Sequence, residues 1–302
     1  MTSTGMRTTV MQRPRTKRCN GRSRHRVRHG AAGTPLVSFP AMDTLELGLK
    51  GKVAIITGAS EGLGRATAER FAQSGAKVAM CARRPDVLDE AAKAIQKATG
   101  AEVMALPTDV TKKDQVEKFV SAVLGRFGGV DVLLNNAGTS SAAAFEAVDD
   151  EAWQYDFDLK VMGAIRFSRL VVPSMKTRGG GAIINVTTIG GKTPLAKALP
   201  TSLTRAAGIN LTKSLSKEYA ADQIRVNTIC LGVVKSAQWT RRFKGGDLDA
   251  FYADMAKTRG VPLGRLGEAE EFADLVAFLA SERAKWITGT AINFDGGAAA
   301  AV

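Results

Sequence analysis

A glycine-rich turn is the first group of residues whose types and spacing indicate chemistry. It reads Thr57-Gly58-Ala59-Ser60-Glu61-Gly62-Leu63-Gly64 and lies between an apolar run and an amphipathic stretch. Glycines there allow a tight turn and the close approach of a pyrophosphate. The N-terminus of the following helix adds free N–H groups and the positive end of its dipole. This position favours a dinucleotide site over a plain glycine-rich turn.

The available acids and bases restrict what else the chain can do. Both histidines, His25 and His29, lie in a basic N-terminal tail, so chemistry elsewhere must use other groups. The three cysteines are widely spaced and form no CxxC pair. That spacing is typical of free thiols in a reducing compartment and argues against a disulfide framework or a zinc site. We therefore predict a cytoplasmic protein without a metal centre.

Alternating apolar and amphipathic segments must position these residues. The apolar runs that predict strands are Lys52–Thr57, Lys77–Cys81, Val103–Pro107, Val130–Asn135, Ala182–Thr187, Ile224–Cys230 and Ala291–Phe294. The stretches that predict helices are Arg65–Ser74, Pro85–Thr99, Lys112–Phe127, Glu151–Lys176, Thr201–Ala221 and Ala269–Ser281. Regular alternation without repeats predicts an α/β fold, a doubly wound parallel sheet in a single Rossmann-type domain, because right-handed crossovers place helices on both faces.

Composition divides the chain into a tail, residues 1–41, and a body, residues 42–302. The tail holds nine basic residues and no acid, so removing its charge from the net +13 leaves +4 for the body. A nucleic-acid-binding or lipid-binding arm and an Arg-rich transit peptide are open alternatives. We favour the interpretation that the tail is a disordered appendage. A start codon assigned too far upstream would explain it, since Met42 lies shortly before the first strand and would be a natural initiator methionine. Without an apolar run of eighteen residues we expect no membrane span, and we expect no nucleic-acid partner.

The tail is expected to be dispensable, because it has no apolar periodicity with which to dock on the body. A chain that begins at Met42 should keep its cofactor affinity and its melting temperature. Calorimetric titration and thermal unfolding measure the two quantities. A loss of several degrees in Tm would contradict this prediction.

Several motifs, in order between about residues 49 and 297, resemble the short-chain dehydrogenase/reductase family. They are TGxxxGxG at Thr57–Gly64, Asp109-Val110, Asn135-Asn136-Ala137-Gly138, Ile224-Arg225-Val226-Asn227, Pro262–Arg265, Ile287–Gly289 and Asp295–Gly297. The resemblance implies a cofactor along the carboxyl ends of the strands and a substrate pocket closed by the segment Gln238–Gly260. It also implies a homo-oligomer, a tetramer or a dimer.

The cofactor-binding positions follow from the same resemblance. They are Gly58, Ser60, Glu61, Gly62, Leu63, Gly64, Arg83, Asp109, Val110, Asn136, Ala137, Gly138, Arg205, Gly232 and Val234. Asp109 and Val110 would hold the adenine, and the residues from Asn136 to Gly138 would line the cofactor. Asn135 and Asn136 could instead serve mainly as turn-forming amides.

The residues after the second strand favour NADP(H) over NAD(H). Ala82 occupies the place of the acid that would chelate the adenosine ribose, and Arg83 follows it. An arginine can pair with a 2′-phosphate through charge-assisted hydrogen bonds. Glu61 argues against NADP(H), because its carboxylate would repel the 2′-phosphate unless Arg83 or Arg84 neutralises it. The alternative is that both arginines are solvated helix-cap residues.

The proton-transfer residues depart from the pattern of the resembled family. That family uses a Ser, a Tyr four residues before a Lys, and an Asn on the preceding helix; the Tyr protonates the carbonyl oxygen as hydride is transferred. No Tyr-x-x-x-Lys occurs in this chain. Aligned without gaps, the catalytic positions carry Thr188 for the Ser, Thr201 for the Tyr, Arg205 for the Lys and Lys160 for the Asn.

These four replacements have different chemical consequences. Thr188 keeps a hydroxyl, and Arg205 keeps a charge that can hold ribose hydroxyls but cannot release a proton. Thr201 is shorter and far less acidic than a phenol, whose pKa is about 10. Lys160 could be the proton source, directly or through a water held by Thr201, because burial beside Arg205 and an oxidised nicotinamide would lower its pKa. Alternatively, Lys160 is only a solvent-exposed residue on the face of its helix and has no part in proton transfer.

Two main hypotheses for function follow. The first is an NADP-dependent oxidoreductase that interconverts a small-molecule carbonyl and a secondary alcohol with an altered proton relay. The second is a dinucleotide-binding protein without turnover, with a role in sensing or assembly. A nucleic-acid binder would rest on the charge of the tail alone. The segment Gln238–Lys244 could cap the pocket with cations and favour an anionic carboxylate or thioester substrate, or it could be a solvated basic helix.

Overall fold

The computed structural model describes residues 46–240, 243 and 245–301. The basic tail, and the residues Arg241, Arg242 and Lys244 of the expected pocket cap, lie outside the described residues. The expectations for those parts of the chain stay predictions.

Within the described residues, strands and helices alternate as the apolar pattern predicts. The strands are β1 (Val53–Thr57), β2 (Lys77–Ala82), β3 (Val103–Pro107), β4 (Val132–Asn135), β5 (Gly181–Thr188), β6 (Ile224–Leu231) and β7 (Ala291–Phe294). The helices are α1 (Gly62–Gln73), α2 (Pro85–Thr99), α3 (Lys113–Phe127), α4 (Asp150–Phe157), α5 (Gly163–Thr177), α6 (Thr201–Glu218), α7 (Ala237–Thr240), α8 (Leu248–Thr258) and α9 (Ala269–Ala280).

The strands form one seven-stranded parallel sheet in the order β3-β2-β1-β4-β5-β6-β7. The strand order reverses between β1 and β4, so the chain leaves these two neighbours toward opposite sides of the sheet. A crevice opens at the carboxyl ends of strands at such a switch point and is where ligands bind in doubly wound sheets. Thr57 and Asn135 end β1 and β4 there. The predicted fold class is confirmed.

Helices cover both faces of the sheet, which explains why β1, an inner strand, is buried along its whole length. Ala54 and Ile56 of β1 belong to one buried cluster with residues of α1, α2 and α9. Val53 and Ile55, which point the other way, belong to a second cluster with residues of α3 and α5. Strands buried on both faces therefore hold the crevice rigidly.

The predicted helix Glu151–Lys176 is wrong in one respect. A π-helical turn over Asp158–Met162 separates α4 from α5. An apolar period near 3.6 continues through this turn, so the sequence pattern cannot distinguish the two backbone forms. The turn is braced from outside, because Arg166 donates to Asp158 at 2.7 Å. π-turns occur frequently at functional sites, and this one carries Lys160.

The segment between β6 and α9 contains structure that the apolar pattern did not predict. The short helices α7 and α8 pack through a small cluster of their own around Tyr252, Ala256, Val261 and Leu266. Their apolar faces are too short to give a clear period. Across the described residues, the protein has no helix with the length and apolar character that a membrane span requires.

Candidate active site

The glycine-rich turn after β1 is packed so closely that side chains would not fit. A Cβ on Gly58, which has φ +65°, would lie 3.0 Å from Ala137 Cα. A Cβ on Gly64 would lie 2.8 Å from Asn136 Nδ2 and would also strike the Gly58 carbonyl oxygen. Helix α1 begins inside this motif, at Gly62; its first turn has no acidic side chain, and its N-cap, Glu61, makes no side-chain capping hydrogen bond. This combination fits a pyrophosphate at the positive end of the helix.

Asn136 joins the ends of β1 and β4. Its side-chain amide donates to the Thr57 carbonyl at 2.9 Å, and its backbone N–H donates to Thr57 Oγ1 at 2.9 Å. Asn135 is buried and donates to Asn185 Oδ1 at 2.9 Å. Both amides thus hold neighbouring strand ends together and thereby place Ala137 and Gly138 beside the glycine turn.

A cavity of about 380 Å³ lies beside the glycine turn at the ends of β2 and β3. Its lining residues are Gly58, Ser60, Ala82, Arg83, Arg84, Thr108, Asp109, Val110, Ala137, Gly138, Thr139 and Leu159. This volume falls within the range of small-molecule and cofactor pockets. The structure thus brings together eight of the cofactor residues named from sequence: Gly58, Ser60, Arg83, Asp109, Val110, Ala137 and Gly138 line the cavity, and Asn136 braces it.

The two arginines at the cavity have different partners. Arg84 pairs with Glu61 at 2.5 Å, so the carboxylate that would repel a 2′-phosphate is neutralised. Arg83, which lines the cavity, donates to the Tyr155 hydroxyl of α4 at 2.9 Å. A neutral phenol leaves the charge of Arg83 uncompensated by this contact. Arg84 is nevertheless the N-cap of α2 and half-exposed, so the solvated-cap alternative still describes it, and its pair with Glu61 is an additional contact.

Asp109 and three further predicted cofactor residues have structural contacts that explain them without a ligand. Asp109 accepts from the Thr111 hydroxyl at 2.8 Å. Leu63 packs against the core cluster. Gly232 lies against Asp295, which a Cβ would meet at 2.7 Å, and Val234 is buried in a bridge to Gly267. Gly62 faces Ser236, so the segment that follows β6 does approach the glycine turn.

Lys160 and Thr201 meet in a buried polar cluster. Lys160 Nζ donates to Thr201 Oγ1 at 3.0 Å, and the Ser141 backbone N–H donates to the same oxygen at 2.9 Å. The Lys160 side chain is only 1% exposed, so the alternative of a solvated helix face does not describe it. The two residues are 41 positions apart in sequence, and the packing of the π-turn on α6 brings them together.

Arg205 lies beneath the cofactor motif. Arg205 is 8% exposed, and its Nη1 donates to the Val186 carbonyl at 2.6 Å. Its Nη2 lies so close to Gly138 that a Cβ on that glycine would be only 2.6 Å from it. Its Nε is the one buried side-chain nitrogen or oxygen in the described chain without a hydrogen-bond partner. A buried donor without a partner on this side chain fits a polar ligand or water. Burial lowers the pKa of Arg205 to about 10, so the guanidinium stays charged at neutral pH.

The pKa of Lys160 is lowered to about 8. Burial is the largest cause, because it penalises the ammonium form, and the charge of Arg205 adds to it. A hydrogen bond and the charge of Asp156 act in the opposite direction. A lysine that titrates near neutral pH can both hold and release a proton under working conditions.

Thr188, like Arg205, is a predicted catalytic residue that no side-chain hydrogen bond connects to Lys160 or Thr201 within the described residues. It ends β5, is half-buried, and has Gly190 beside its hydroxyl. Thr188 follows Val186 by two residues on β5, and the Val186 carbonyl accepts from Arg205. Thr188 therefore lies at the strand end that Arg205 contacts.

Sequence reasoning missed Asp156, Thr204 and Tyr155. Asp156 is completely buried and accepts from Lys160 and from Thr204 Oγ1, the latter at 2.7 Å. The spacing of Asp156 four residues before Lys160 was an available signal, since such acid–lysine pairs share a helix face. Tyr155, which meets Arg83 from 72 positions away, had no local signal.

Comparisons with known proteins agree with this geometry. The family model described as enoyl-(acyl carrier protein) reductase matches residues 58–299. A 3-oxoacyl-[acyl-carrier-protein] reductase of Thermotoga maritima is 33% identical over 249 residues, which are 82% of this chain and 98% of that protein. The chain belongs to the short-chain dehydrogenase/reductase family. It is therefore an oxidoreductase, as the sequence predicted.

Two solved structures of short-chain dehydrogenase/reductases are also similar. L-sorbose reductase of Gluconobacter frateurii, complexed with NADPH and L-sorbose, is 38% identical with a TM-score of 0.81, covering 85% of this chain and 100% of that one. An NADPH-bound short-chain oxidoreductase of Pseudomonas aeruginosa that contains an atypical catalytic center is 37% identical with a TM-score of 0.79, covering 82% and 96%. Both similar structures hold NADPH.

Proposed function

We propose that this short-chain dehydrogenase/reductase interconverts a carbonyl and a secondary alcohol with NADP(H), using Lys160 and Thr201 as its proton relay. The observation that carries the proposal is the hydrogen bond from buried Lys160 to Thr201 Oγ1 at 3.0 Å. A bound NADPH would supply the hydride. The residues of this chain must then provide a proton to the carbonyl oxygen and stabilise the negative charge that develops there.

The hydrogen bonds of Thr201 direct its hydroxyl outward as a donor. A hydroxyl has two lone pairs and one O–H. Lys160 Nζ and the Ser141 backbone N–H occupy both lone pairs, and within the described residues the O–H has no acceptor. Thr201 can therefore give its proton to a substrate oxygen while Lys160 replaces that proton from behind. The weak acidity of an aliphatic hydroxyl is then offset by the lysine, whose pKa lies near 8.

The cluster also carries the charge that the reaction needs. Lys160 and Arg205 are buried cations and Asp156 is a buried anion, so the group has one net positive charge in surroundings that screen it weakly. Negative charge on a reacting oxygen is favoured there. Thr188, on the adjoining strand end, is proposed as a second hydroxyl donor to the substrate. Arg205, beneath Gly138, is proposed to hold the nicotinamide ribose.

NADPH is the proposed cofactor. The uncompensated charge of Arg83 at the cavity, together with the Arg84–Glu61 pair, supports a phosphate on the adenosine ribose. The NADPH bound to both similar structures supports the same choice. A cytoplasmic location and a homo-oligomer of this chain stay predictions.

Turnover of a carbonyl panel tests the function. The full chain should oxidise NADPH in the presence of at least one member of a panel of ketoses such as L-sorbose, simple ketones and aldehydes, and 3-oxoacyl thioesters, with NADH a poorer donor. Initial rates followed by NADPH absorbance give kcat/KM for each compound. Tight NADPH binding without turnover on the whole panel, in both directions, would favour the non-catalytic hypothesis of sensing or assembly.

A further inference from the structure

A carboxylate without any exposed surface stands behind the proposed relay. Asp156, on α4, is 0% exposed, and each of its oxygens has a partner. Oδ1 accepts from Lys160 Nζ, and Oδ2 accepts from the Thr204 hydroxyl at 2.7 Å. The side chain therefore joins the π-turn that carries Lys160 to α6, which carries Thr201 and Arg205.

Burial of a carboxylate is costly unless a charge and hydrogen bonds compensate it. Within the described residues, the charged groups that act on Lys160 are Asp156 from α4 and Arg205 from α6. Asp156 is thus the single anion facing two buried cations. If its charge were absent, Lys160 and Arg205 would repel each other with nothing between them to offset the repulsion.

We propose that Asp156 is a positioning residue that keeps Lys160 in its ammonium form and aimed at Thr201. Thr204 completes the arrangement, because its hydroxyl holds the second carboxylate oxygen on α6. The consequence for catalysis rests on the proposed function, in which Lys160 delivers the proton. The effect of Asp156 on the protonation of Lys160 does not depend on turnover.

The direction of the effect follows from the three influences on Lys160. Burial and Arg205 lower its pKa, whereas the hydrogen bond and charge of Asp156 raise it. Asp156→Asn removes the charge and leaves the two lowering influences. An asparagine has the same shape, can still accept from Lys160, and can donate its amide N–H to Thr204, so the fold should survive. The midpoint of Lys160 should fall by about 1 to 3 pH units, as for the loss of a close opposite charge.

The decisive measurement is the titration of Lys160 itself. The full chain is labelled with ¹³Cε-lysine, the Lys160 signal is assigned by its disappearance in Lys160→Met, and its chemical shift is followed against pH. Glu151→Gln is the matched control, because Glu151 is an exposed acid on α4, the same helix as Asp156. It should leave the Lys160 midpoint unchanged. Asp156→Ser removes the same charge with a smaller side chain and serves if Asn does not fold.

The pH profile of kcat separates this inference from the proposed function. An unchanged Lys160 midpoint in both Asp156 variants overturns the role of Asp156, whatever the activity. A lower midpoint, with the alkaline limit of carbonyl reduction moved to lower pH by the same amount, supports both ideas. A lower midpoint without a matching change in the pH profile supports the role of Asp156 and overturns Lys160 as the proton source.

Discussion

Replacing Lys160 by Met is expected to lower turnover about 100-fold or more, the size typical for loss of a general acid. Lys160 is the group in the relay that can release a proton near neutral pH, since Arg205 cannot and Thr201 is too weak an acid alone. NADPH affinity should change little, because Lys160 donates to Thr201 and Asp156 rather than lining the cofactor cavity. Steady-state kinetics and calorimetric titration measure the two effects separately.

The Lys160→Met variant also removes the cation that pairs with Asp156. A buried charge left without its partner costs about 3–5 kcal/mol of stability, so loss of activity by unfolding must be separated from loss of the proton. The double variant Lys160→Met/Asp156→Asn removes both charges and should recover most of that stability, as measured by denaturant unfolding. Its turnover should stay as low as that of the single variant.

Lys160→Arg provides the charge-matched control. A guanidinium keeps the positive charge beside Asp156 but does not give up a proton. It should therefore lose nearly as much turnover as the Met variant while remaining folded. If both lysine variants kept most of their activity, Thr201 and Thr188 would be acting only as hydrogen-bond donors. In that case Thr201→Tyr with Arg205→Lys would be expected to accelerate the enzyme.

The same assignment predicts the pH dependence of the wild-type protein. Carbonyl reduction needs Lys160 protonated, so the rate should be high below its pKa and fall as the pH rises through about 8. Alcohol oxidation needs the neutral amine and should show the opposite slope. An identical pH dependence in Lys160→Met, or no alkaline limit for reduction, would contradict the assignment.

Removal of Arg83 is expected to weaken NADPH binding by about 1.5–3 kcal/mol, or roughly 10- to 150-fold, the value for a hydrogen bond to a charged group. NADH binding should change little, because NADH lacks the 2′-phosphate. Arg83 lines the cavity and donates to the Tyr155 hydroxyl. Arg83→Met keeps much of the side-chain volume and is the preferred variant. Calorimetric titration with each cofactor measures the change.

Two neighbouring variants sharpen the test of cofactor choice. Tyr155→Phe removes the hydroxyl that orients Arg83 but keeps its charge, so its effect on NADPH affinity should be smaller. Glu61→Gln removes a negative charge near the expected phosphate and should leave NADPH affinity unchanged or higher. Equal affinity of the wild-type chain for NADPH and NADH would refute the role given to Arg83.

The sequence by itself was sufficient to predict the fold and the glycine-rich turn, because both are determined by local patterns of residues. Apolar runs such as Lys52–Thr57 recur with amphipathic stretches between them, and an alternation of strands and helices has few ways to bury both faces. Gly58 and Gly64 are needed where atoms approach as closely as they do here, and Gly62 is needed for its positive φ of 54°. Family resemblance then placed Thr201, Arg205 and Lys160 at proton-transfer positions.

Tertiary structure decided what those residues can do. The contact of Lys160 with Thr201 joins positions 41 apart, and that of Arg83 with Tyr155 joins positions 72 apart. No local pattern encodes such pairs, because they depend on which helices pack together at the end of the sheet. The π-turn at Asp158–Met162 is equally invisible in an apolar period.

Electrostatics shows the same division most clearly at Lys160. The sequence identifies residue 160 as a lysine, but its pKa near 8 depends on its surroundings. Burial and Arg205 on α6 lower this pKa, and Asp156 on α4 raises it. Glu61 is a second case, since its carboxylate argues against NADP in the sequence and is neutralised by Arg84 in the fold. Residue types are local, whereas the energy of a charge depends on everything that surrounds it in space, and only the folded chain determines those surroundings.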